Sequence, residues 1–256
     1  MVGYDILGNI AIVKFPKETR KVKKQGFAKQ LLKTNKSIKT VLEKTGKFSG
    51  RLRTLKTGFV FGEKTKEVLY KENACLFRFN VDTCYFSPRL ASERLEIARL
   101  VKPRENVLVL FGGVAPFAIV IAKYSKAEKV ISVELSRECN KYAIENVKRN
   151  KLRNIDIIQG DVNRILPKMK EKFDRIVMAR PNLNDSFLDV SFKKIKKGGI
   201  VHYYGFYEEE KLNELKELIE NEAKKAKKKI RVIRIKKAGD IGVKKYRYRV
   251  DLKVLN

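Results

Sequence analysis

The chain has 256 residues, 43% of them hydrophobic, which is enough for one large domain, one smaller domain and a substantial core. Lysine and arginine number 59 against 29 acidic residues, and the formal net charge of +30 indicates a polyanionic partner. The sequence shows no signal peptide and no run of about 18 apolar residues, which favours nucleic acid over a membrane as that partner.

Cysteine and histidine usage predicts neither a disulfide framework nor a metal site. Cys75, Cys84 and Cys139 are scattered without CxxC spacing, and His202 is the only histidine. His202 lies in an apolar segment, where a hydrogen-bonded core residue is favoured over a catalyst. We expect a monomeric, cytoplasmic protein in a reducing compartment.

Residues 1–87 are predicted to form a small α+β domain that binds RNA. Residues 4–15 alternate polar and apolar and predict a hairpin. Apolar residues at helical spacing predict a helix within 17–47: Phe27, Leu31, Ile38 and Leu42. Residues 14–47 carry twelve basic and two acidic side chains. These charges either contact phosphate groups or form a solvent-exposed helix face. Two β-type segments, 51–62 and 74–81, complete the domain.

From Pro88 onward helices and strands alternate, which predicts βαβ units in a mostly parallel sheet. The predicted strands are 106–111, 129–134, 155–159, 173–179 and 199–206. The predicted helices are 90–101, 115–125, 136–151, 162–170, 184–196 and 208–228. Strands 229–237 and 244–254, joined by a turn at Ala238-Gly239-Asp240, are predicted to pair antiparallel at the edge. The predicted fold is α/β: a Rossmann-like methyltransferase sheet over 88–256, with an antiparallel C-terminal edge hairpin, after the small α+β domain.

The stretch 106–123, NVLVLFGGVAPFAIVIAK, is an apolar run that ends in a Gly-Gly turn and continues as a helix. Gly113 in this turn lets backbone N–H groups approach a ligand, and Glu134 follows at the spacing of an acid that binds both ribose hydroxyls. Asp161 ends the next apolar run. The turn lacks the glycine and lysine patterns of phosphate sites, which favours a nucleoside. S-adenosylmethionine is the leading candidate, with Asp161 on the adenine amino group; the alternative is an ordinary α/β turn.

The segment 85–94, YFSPRLASER, resembles the YFSPRLGGER segment of archaeal and eukaryotic-type tRNA guanosine-37 N1-methyltransferases. These enzymes share a fold with the aminocarboxypropyltransferases that act on a wyosine precursor. FGGVAPF at 111–117 is similar to the family's FAGVGPF, and GGIVHYY at 198–204 resembles another shared stretch. Arg51 and Arg53 fall where the family has an arginine pair. The resemblance covers roughly residues 48–205 and implies S-adenosylmethionine as cofactor and tRNA as partner.

The resemblance implies a role for each matching residue. Glu93 would be the general base that removes the guanine N1 proton, and Arg51 would stabilise negative charge on O6. In a helix from Arg89, Arg89 and Glu93 would share one face, opposite the apolar face; the alternative is an ordinary helix ion pair. Cofactor contacts are expected from Tyr85, Arg89, Phe111, Gly112, Gly113, Glu134, Asp161 and Pro181. RNA contacts are expected from Arg53 and Arg94.

Three positions depart from the family pattern. Val109 stands where the family usually has an acid, Ala115 replaces a glycine of the turn, and Ala179-Arg180-Pro181 replaces Asn-Leu-Pro. Nearby Asn182, Asn184 and Asp185 either substitute for the lost Asn or provide an ordinary cap for the following helix, and the cap is favoured. The expected function is methyl transfer to N1 of guanosine 37. Aminocarboxypropyl transfer to a wyosine precursor, and a degenerate RNA-binding module of the same fold, are the alternatives.

Overall fold

The computed structural model describes residues 2–256, which form three β-sheets and seven α-helices. The strands are β1 Gly3–Leu7, β2 Ile10–Lys14, β3 Thr40–Lys44, β4 Thr57–Gly62, β5 Glu67–Glu72, β6 Cys75–Asn80, β7 Asn106–Leu110, β8 Lys129–Glu134, β9 Ile155–Gln159, β10 Phe173–Met178, β11 Ile195–Glu208, β12 Ile230–Gly242 and β13 Lys245–Val254. The helices are α1 Lys21–Thr34, α2 Ala91–Leu100, α3 Pro116–Tyr124, α4 Arg137–Arg149, α5 Val162–Ile165, α6 Leu188–Phe192 and α7 Leu212–Lys225. None of these helices has the length and apolar character needed to span a membrane.

The N-terminal sheet has the strand order β1-β2-β3-β4 and contains the predicted hairpin. The predicted helix within 17–47 is too long: α1 ends at Thr34, and Leu42 lies in β3. The side chain of Asn35 accepts a hydrogen bond from the backbone N–H of Ser37, a local turn that competes with further helix. Ile38 is buried in the same cluster as Leu31 although it lies outside the helix, so its helical spacing from Leu31 did not indicate a continuing helix.

Strands β5 and β6 form a separate two-stranded sheet, and sequence reasoning predicted only the second of them. This sheet packs on α4, where the Asn146 side chain accepts from the Arg78 backbone N–H at 2.7 Å and donates to its carbonyl oxygen at 3.1 Å. A single buried cluster extends from Leu7 through Phe77 to Tyr204. The two predicted domains therefore share one core on this side.

The large sheet has the order β12-β13-β11-β10-β7-β8-β9. Strands β11, β10, β7, β8 and β9 are parallel, and β13 and β12 continue the sheet antiparallel, which confirms the predicted architecture. The predicted turn at 238–240 is wrong: β12 continues to Gly242, and irregular pairing near Gly239 accommodates these residues within the strand. The predicted helix 184–196 shortens to α6.

The parallel order brings the carboxyl ends of β7, β8, β9 and β10 to one edge of the sheet, where open α/β sheets bind ligands. The turn after β7 is tight, with positive φ angles of 60° at Phe111, 55° at Gly113 and 65° at Ala115. Arg51 lies near the carboxyl end of β9, where it contacts Asp161. The N-terminal residues thus lie beside the ligand-binding edge.

Candidate functional site

A cavity of about 120 Å³, hereafter the main cavity, lies at this edge. Eight of the predicted site residues line it: Arg51, Arg53, Tyr85, Phe111, Gly113, Glu134, Asp161 and Pro181. The few polar groups among apolar side chains are typical of a small-molecule site. The predicted residues that do not line it are Gly112, Arg89, Glu93 and Arg94.

Gly112 supports the turn rather than the cavity wall. A Cβ at this position would lie 2.0 Å from the Ser132 side-chain oxygen, so a larger residue would require the Ser132 hydroxyl to move. Gly113 adopts a φ of 55° and donates its N–H to the Glu134 carboxylate at 2.8 Å. Ala115 has a φ of 65°, a conformation that glycine adopts more easily, at a cost of about 1 kcal/mol. The turn therefore forms despite the missing glycine.

Glu134 is held in place from two sides. Its second carboxylate oxygen accepts from the Ser136 backbone N–H at 2.8 Å, while the first accepts from Gly113. Burial raises the pKa of Glu134, and the hydrogen bonds from Ser136 and Gly113 oppose that rise. Each oxygen keeps a further lone pair. The carboxylate can therefore accept hydrogen bonds from a pair of vicinal hydroxyls.

Arg51 and Asp161 form an ion pair across the two predicted domains, with 2.6 Å between Nη2 and Oδ2. The other Asp161 oxygen accepts from the Asn163 backbone N–H at 2.9 Å and caps α5. Arg53 stacks beside them, with its guanidinium 4.2 Å from the Tyr85 ring centre. This side of the cavity thus combines an acid, two arginines and an aromatic ring.

Arg94 was predicted to bind RNA, and the structure contradicts this. Its side chain is 2% exposed and pairs through two nitrogens with Glu72, which is 3% exposed. A third hydrogen bond, of 3.0 Å, runs to the carbonyl oxygen of Ser87. A guanidinium buried in this way cannot reach a phosphate group. It joins β5 to the segment that precedes α2.

The predicted Arg89–Glu93 face does not form. Pro88–Leu90 is a 3-10 turn and α2 begins at Ala91, so the two residues do not share a continuous α-helix. The Arg89 side chain is 74% exposed, 3.9 Å from Asp5, and does not line the main cavity. Glu93 is only 4% exposed, contrary to the expectation that it faces away from the core.

Tyr204 connects Glu93 to the main cavity, and sequence reasoning missed this role. Its ring lines the cavity, and its Oη donates to Glu93 Oε1 at 2.8 Å. Arg249, with a side chain that is 0% exposed, binds the same oxygen at 2.6 Å. Burial, and then the charge of Glu93, raise the pKa of Tyr204 well above its usual value. The sequence did offer an indication of this role, because Tyr204 ends the GGIVHYY segment that resembles the family.

His202 belongs to the same buried network and has no access to the cavity. Its ring nitrogens lie 2.6 Å from Asp251 Oδ1 and 2.7 Å from an Arg175 nitrogen. Burial lowers the pKa of His202, which keeps the ring neutral so that it can accept from Arg175. The expectation of a hydrogen-bonded core histidine is confirmed.

The loop after β10 carries the Ala179-Arg180-Pro181 sequence. Arg180 is 6% exposed and donates to the carbonyl oxygens of Leu183 and Asp185, the latter at 2.7 Å. The Asp185 carboxylate accepts from the Phe187 backbone N–H at 2.8 Å in a local turn. The N-cap of α6 is Phe187, which makes no side-chain cap hydrogen bond, so the expected cap does not form. Arg180 therefore stabilises the loop by donating hydrogen bonds to two of the loop's backbone carbonyl groups.

The mostly parallel sheet with its antiparallel edge hairpin, the glycine turn and the acid at the end of β8 define a Rossmann-like transferase of the methyltransferase class. The family model described as the TRM5/TYW2 methyltransferase domain matches residues 68–233, and the TYW2 N-terminal domain matches residues 1–65. The chain belongs to the TRM5/TYW2 family.

The comparison with known proteins includes Trm5b of Pyrococcus abyssi, named as a tRNA (guanine(37)-N(1))-methyltransferase. The chain is 37% identical to it over 208 residues, which cover 80% of the chain and 60% of that protein. In its crystal structure, 75% of that chain superposes on 99% of this one with a TM-score of 0.87 and 32% identity. The chain thus spans less than two thirds of this relative's sequence.

Two other relatives are matched over more of their length. Taw22 of Nanoarchaeum equitans, named as a tRNA (guanine(37)-N(1))/4-demethylwyosine(37)-methyltransferase, is 33% identical over 304 aligned residues, covering 98% of the chain and 99% of that protein. The tRNA(Phe) (4-demethylwyosine(37)-C(7)) aminocarboxypropyltransferase of Methanocaldococcus jannaschii is 32% identical, covering 79% and 78%. The relatives of this chain therefore include enzymes that transfer a methyl group and enzymes that transfer an aminocarboxypropyl group.

Proposed function

We propose that this protein transfers the methyl group of S-adenosylmethionine to N1 of guanosine 37 in tRNA. The observation that carries the proposal is the main cavity, which combines the Gly113–Glu134 cradle for a nucleoside with the Tyr204–Glu93 pair as a route for a proton. The net charge of +30 supports a polyanionic substrate. We further propose that the acting unit is a cytoplasmic monomer.

The residues of the cavity fit an adenosine group. Glu134 is fixed by two backbone N–H groups and keeps lone pairs for the two ribose hydroxyls. Asp161 lies one strand further along, at the end of β9, and its carboxylate can accept from the adenine amino group. S-adenosylmethionine supplies an electrophilic methyl group when it is bound. These two acids, with the turn at Gly113, would hold it.

Methyl transfer to guanine N1 requires that the N1 proton leaves. Glu93 reaches the cavity through Tyr204, so we propose a two-step relay: Tyr204 Oη accepts the N1 proton and passes its own proton to Glu93 Oε1. The raised pKa of Tyr204 keeps the phenol protonated, as the relay requires. Arg249 holds the Glu93 carboxylate in place through an ion pair of 2.6 Å.

Arg51 retains the role proposed from the sequence, the stabilisation of negative charge that develops on guanine O6. It lines the main cavity, and its side chain is 51% exposed beside Asp161. An exposed ion pair of this kind contributes little and is readily exchanged for another acceptor. Arg53, stacked on Tyr85, is proposed to contact the RNA at the same rim.

Aminocarboxypropyl transfer to a wyosine precursor is the second candidate, and the TYW2 N-terminal domain match over residues 1–65 favours it. The two reactions leave different products from the same cofactor. We would incubate the protein with S-adenosylmethionine and, in separate reactions, a tRNA that carries guanosine 37 or the same tRNA with the wyosine precursor at that position, then identify nucleosides and cofactor products by mass spectrometry. N1-methylguanosine with S-adenosylhomocysteine is the expected result, whereas methylthioadenosine would refute methyl transfer. Calorimetry that detects no cofactor binding would instead identify a degenerate RNA-binding module.

A further inference from the structure

Arg247 in β13 lies where the main cavity meets a second, wider cavity of about 620 Å³, hereafter the groove. Tyr85 and Arg53 are the other residues that line both spaces. The groove is bounded by the N-terminal hairpin, the segment 85–89 and the β12–β13 hairpin. Arg247 is thus placed between the proposed cofactor site and an opening wide enough for a nucleotide.

Arg247 is a nearly buried arginine without an acidic partner. It is 9% exposed, and its guanidinium lies 5.2 Å from the ring centre of Phe206, its cross-strand neighbour. No carboxylate of residues 2–256 lies within ion-pair distance of the Arg247 guanidinium, and no group among those residues accepts a hydrogen bond from its side chain, whose contact is with the Phe206 ring. Because arginine stays charged and its donors are left unused, the site is prepared for an acceptor from outside the chain.

Arg249 provides the comparison, because it lies two residues further along the same strand and on the same face. It is 0% exposed and binds the carboxylates of Glu93, Glu96 and Asp251. The fold therefore supplies full acidic compensation for one arginine of this strand and none for its neighbour. The arginine without an acidic partner is the one that lies where the two cavities meet.

We infer that Arg247 determines the target base by binding the O6 and N7 atoms of guanine; this rests on the proposed function. An arginine stacked on an aromatic ring keeps its edge donors free, and two of these donors match the paired acceptors O6 and N7. Adenine presents an amino donor in place of O6 and is disfavoured. Contact at this edge leaves N1 uncovered on the neighbouring edge. A tricyclic base that keeps both acceptors is accommodated equally.

The test removes the N7 acceptor from guanine and, separately, the guanidinium group of Arg247 from the protein. Two tRNA transcripts are compared, one with guanosine and one with 7-deazaguanosine at position 37, and kcat/KM for methyl transfer is measured. The wild-type protein should lose about 10-fold or more on 7-deazaguanosine, as expected for one hydrogen bond to a charged donor. The Arg247→Met variant should be slow on guanosine and lose less than about two-fold further on 7-deazaguanosine, because the donors are already gone.

Two further variants complete the experiment. Arg247→Lys keeps the charge without the fork and should also lose the penalty for 7-deazaguanosine. Arg231→Met removes an exposed arginine of β12 that lines neither cavity, and it should behave like the wild-type protein. Calorimetric binding of S-adenosylhomocysteine, unchanged within about two-fold, would show that the cavity of each variant is intact.

An undiminished 7-deazaguanosine penalty in Arg247→Met and Arg247→Lys would overturn the assignment. A uniform loss on both substrates, with a salt dependence reduced by about one counterion, would likewise overturn it in favour of a phosphate contact. A wild-type protein that does not modify guanosine 37 at all would instead refute the proposed function, and the inference with it.

Discussion

Removal of the Tyr204 hydroxyl tests whether Glu93 acts through this side chain. Tyr204→Phe deletes the 2.8 Å hydrogen bond to Glu93 and keeps the ring that lines the main cavity. Glu93 retains Arg249 at 2.6 Å and Lys236 at 3.4 Å, so its charge stays compensated. The expected stability loss is that of one hydrogen bond to a charged group, about 1.5–3 kcal/mol. The melting temperature should fall by about 3–12 °C.

The effect on the reaction should be larger than the effect on stability. Loss of a positioned proton acceptor typically lowers turnover by about 10²–10⁴-fold. We would measure single-turnover transfer of labelled methyl groups to a tRNA transcript at saturating cofactor, below the melting temperature of the variant. Glu93→Gln should show a similar loss, and the double variant should be no slower than either single one.

Tyr203→Phe is the matched control, because it removes a hydroxyl from the adjacent residue of the same strand. The Tyr203 hydroxyl is buried without a hydrogen-bond partner, and the residue does not line the main cavity. Its removal should leave turnover unchanged and should not destabilise the fold. A Tyr204→Phe variant that keeps the full rate while its melting temperature falls would refute the relay and leave Glu93 as a structural residue.

Three other predictions test the cofactor site, the buried ion pair and the RNA contact. Glu134→Gln should weaken S-adenosylhomocysteine binding in calorimetry by about 10- to 100-fold because a charged acceptor is lost, and unchanged affinity would contradict the ribose assignment. Arg94→Met should lower the free energy of unfolding by about 3–5 kcal/mol because Glu72 stays buried without its partner; a stable variant with weakened tRNA binding would restore the RNA role. Affinity for tRNA should fall steeply as salt increases, since bound counterions are released, and a flat response would argue against phosphate contacts.

The parallel sheet and its ligand edge could be predicted because they depend on local patterns. Strands such as β7 and β8 are buried on both faces, so they appear as short uninterrupted apolar runs. The acid at the end of β8 and the glycine turn after β7 then fall at one edge by topology alone. The Gly113–Glu134 hydrogen bond links residues that are 21 positions apart, within one βαβ unit. Prediction succeeded here because both partners belong to one βαβ unit, whose topology places the glycine turn and the acid at the same edge.

The face of α2 could not be predicted from hydrophobicity, because two of its buried residues are charged. Glu93 and Arg94 are buried together with Ile97 and Ala98. Their compensating partners come from distant strands: Glu72 lies 22 residues before Arg94, and Arg249 lies 156 residues after Glu93. An apolar-face argument assigns such residues to solvent, since it has no information on which charges the fold brings opposite them.

The segment YRYRVD in β13 shows how far this limitation extends to function. The sequence presents Arg247 and Arg249 as equivalent members of an alternating strand. The tertiary structure gives Arg249 three carboxylates and gives Arg247 an aromatic ring and two open cavities. Loss of Arg249 would remove the cation that the buried Glu93 and Asp251 share and should damage folding, whereas loss of Arg247 removes no acidic partner and should damage only substrate recognition. Arg247 is therefore identified as the functional arginine of the two because the fold provides no carboxylate to balance its charge.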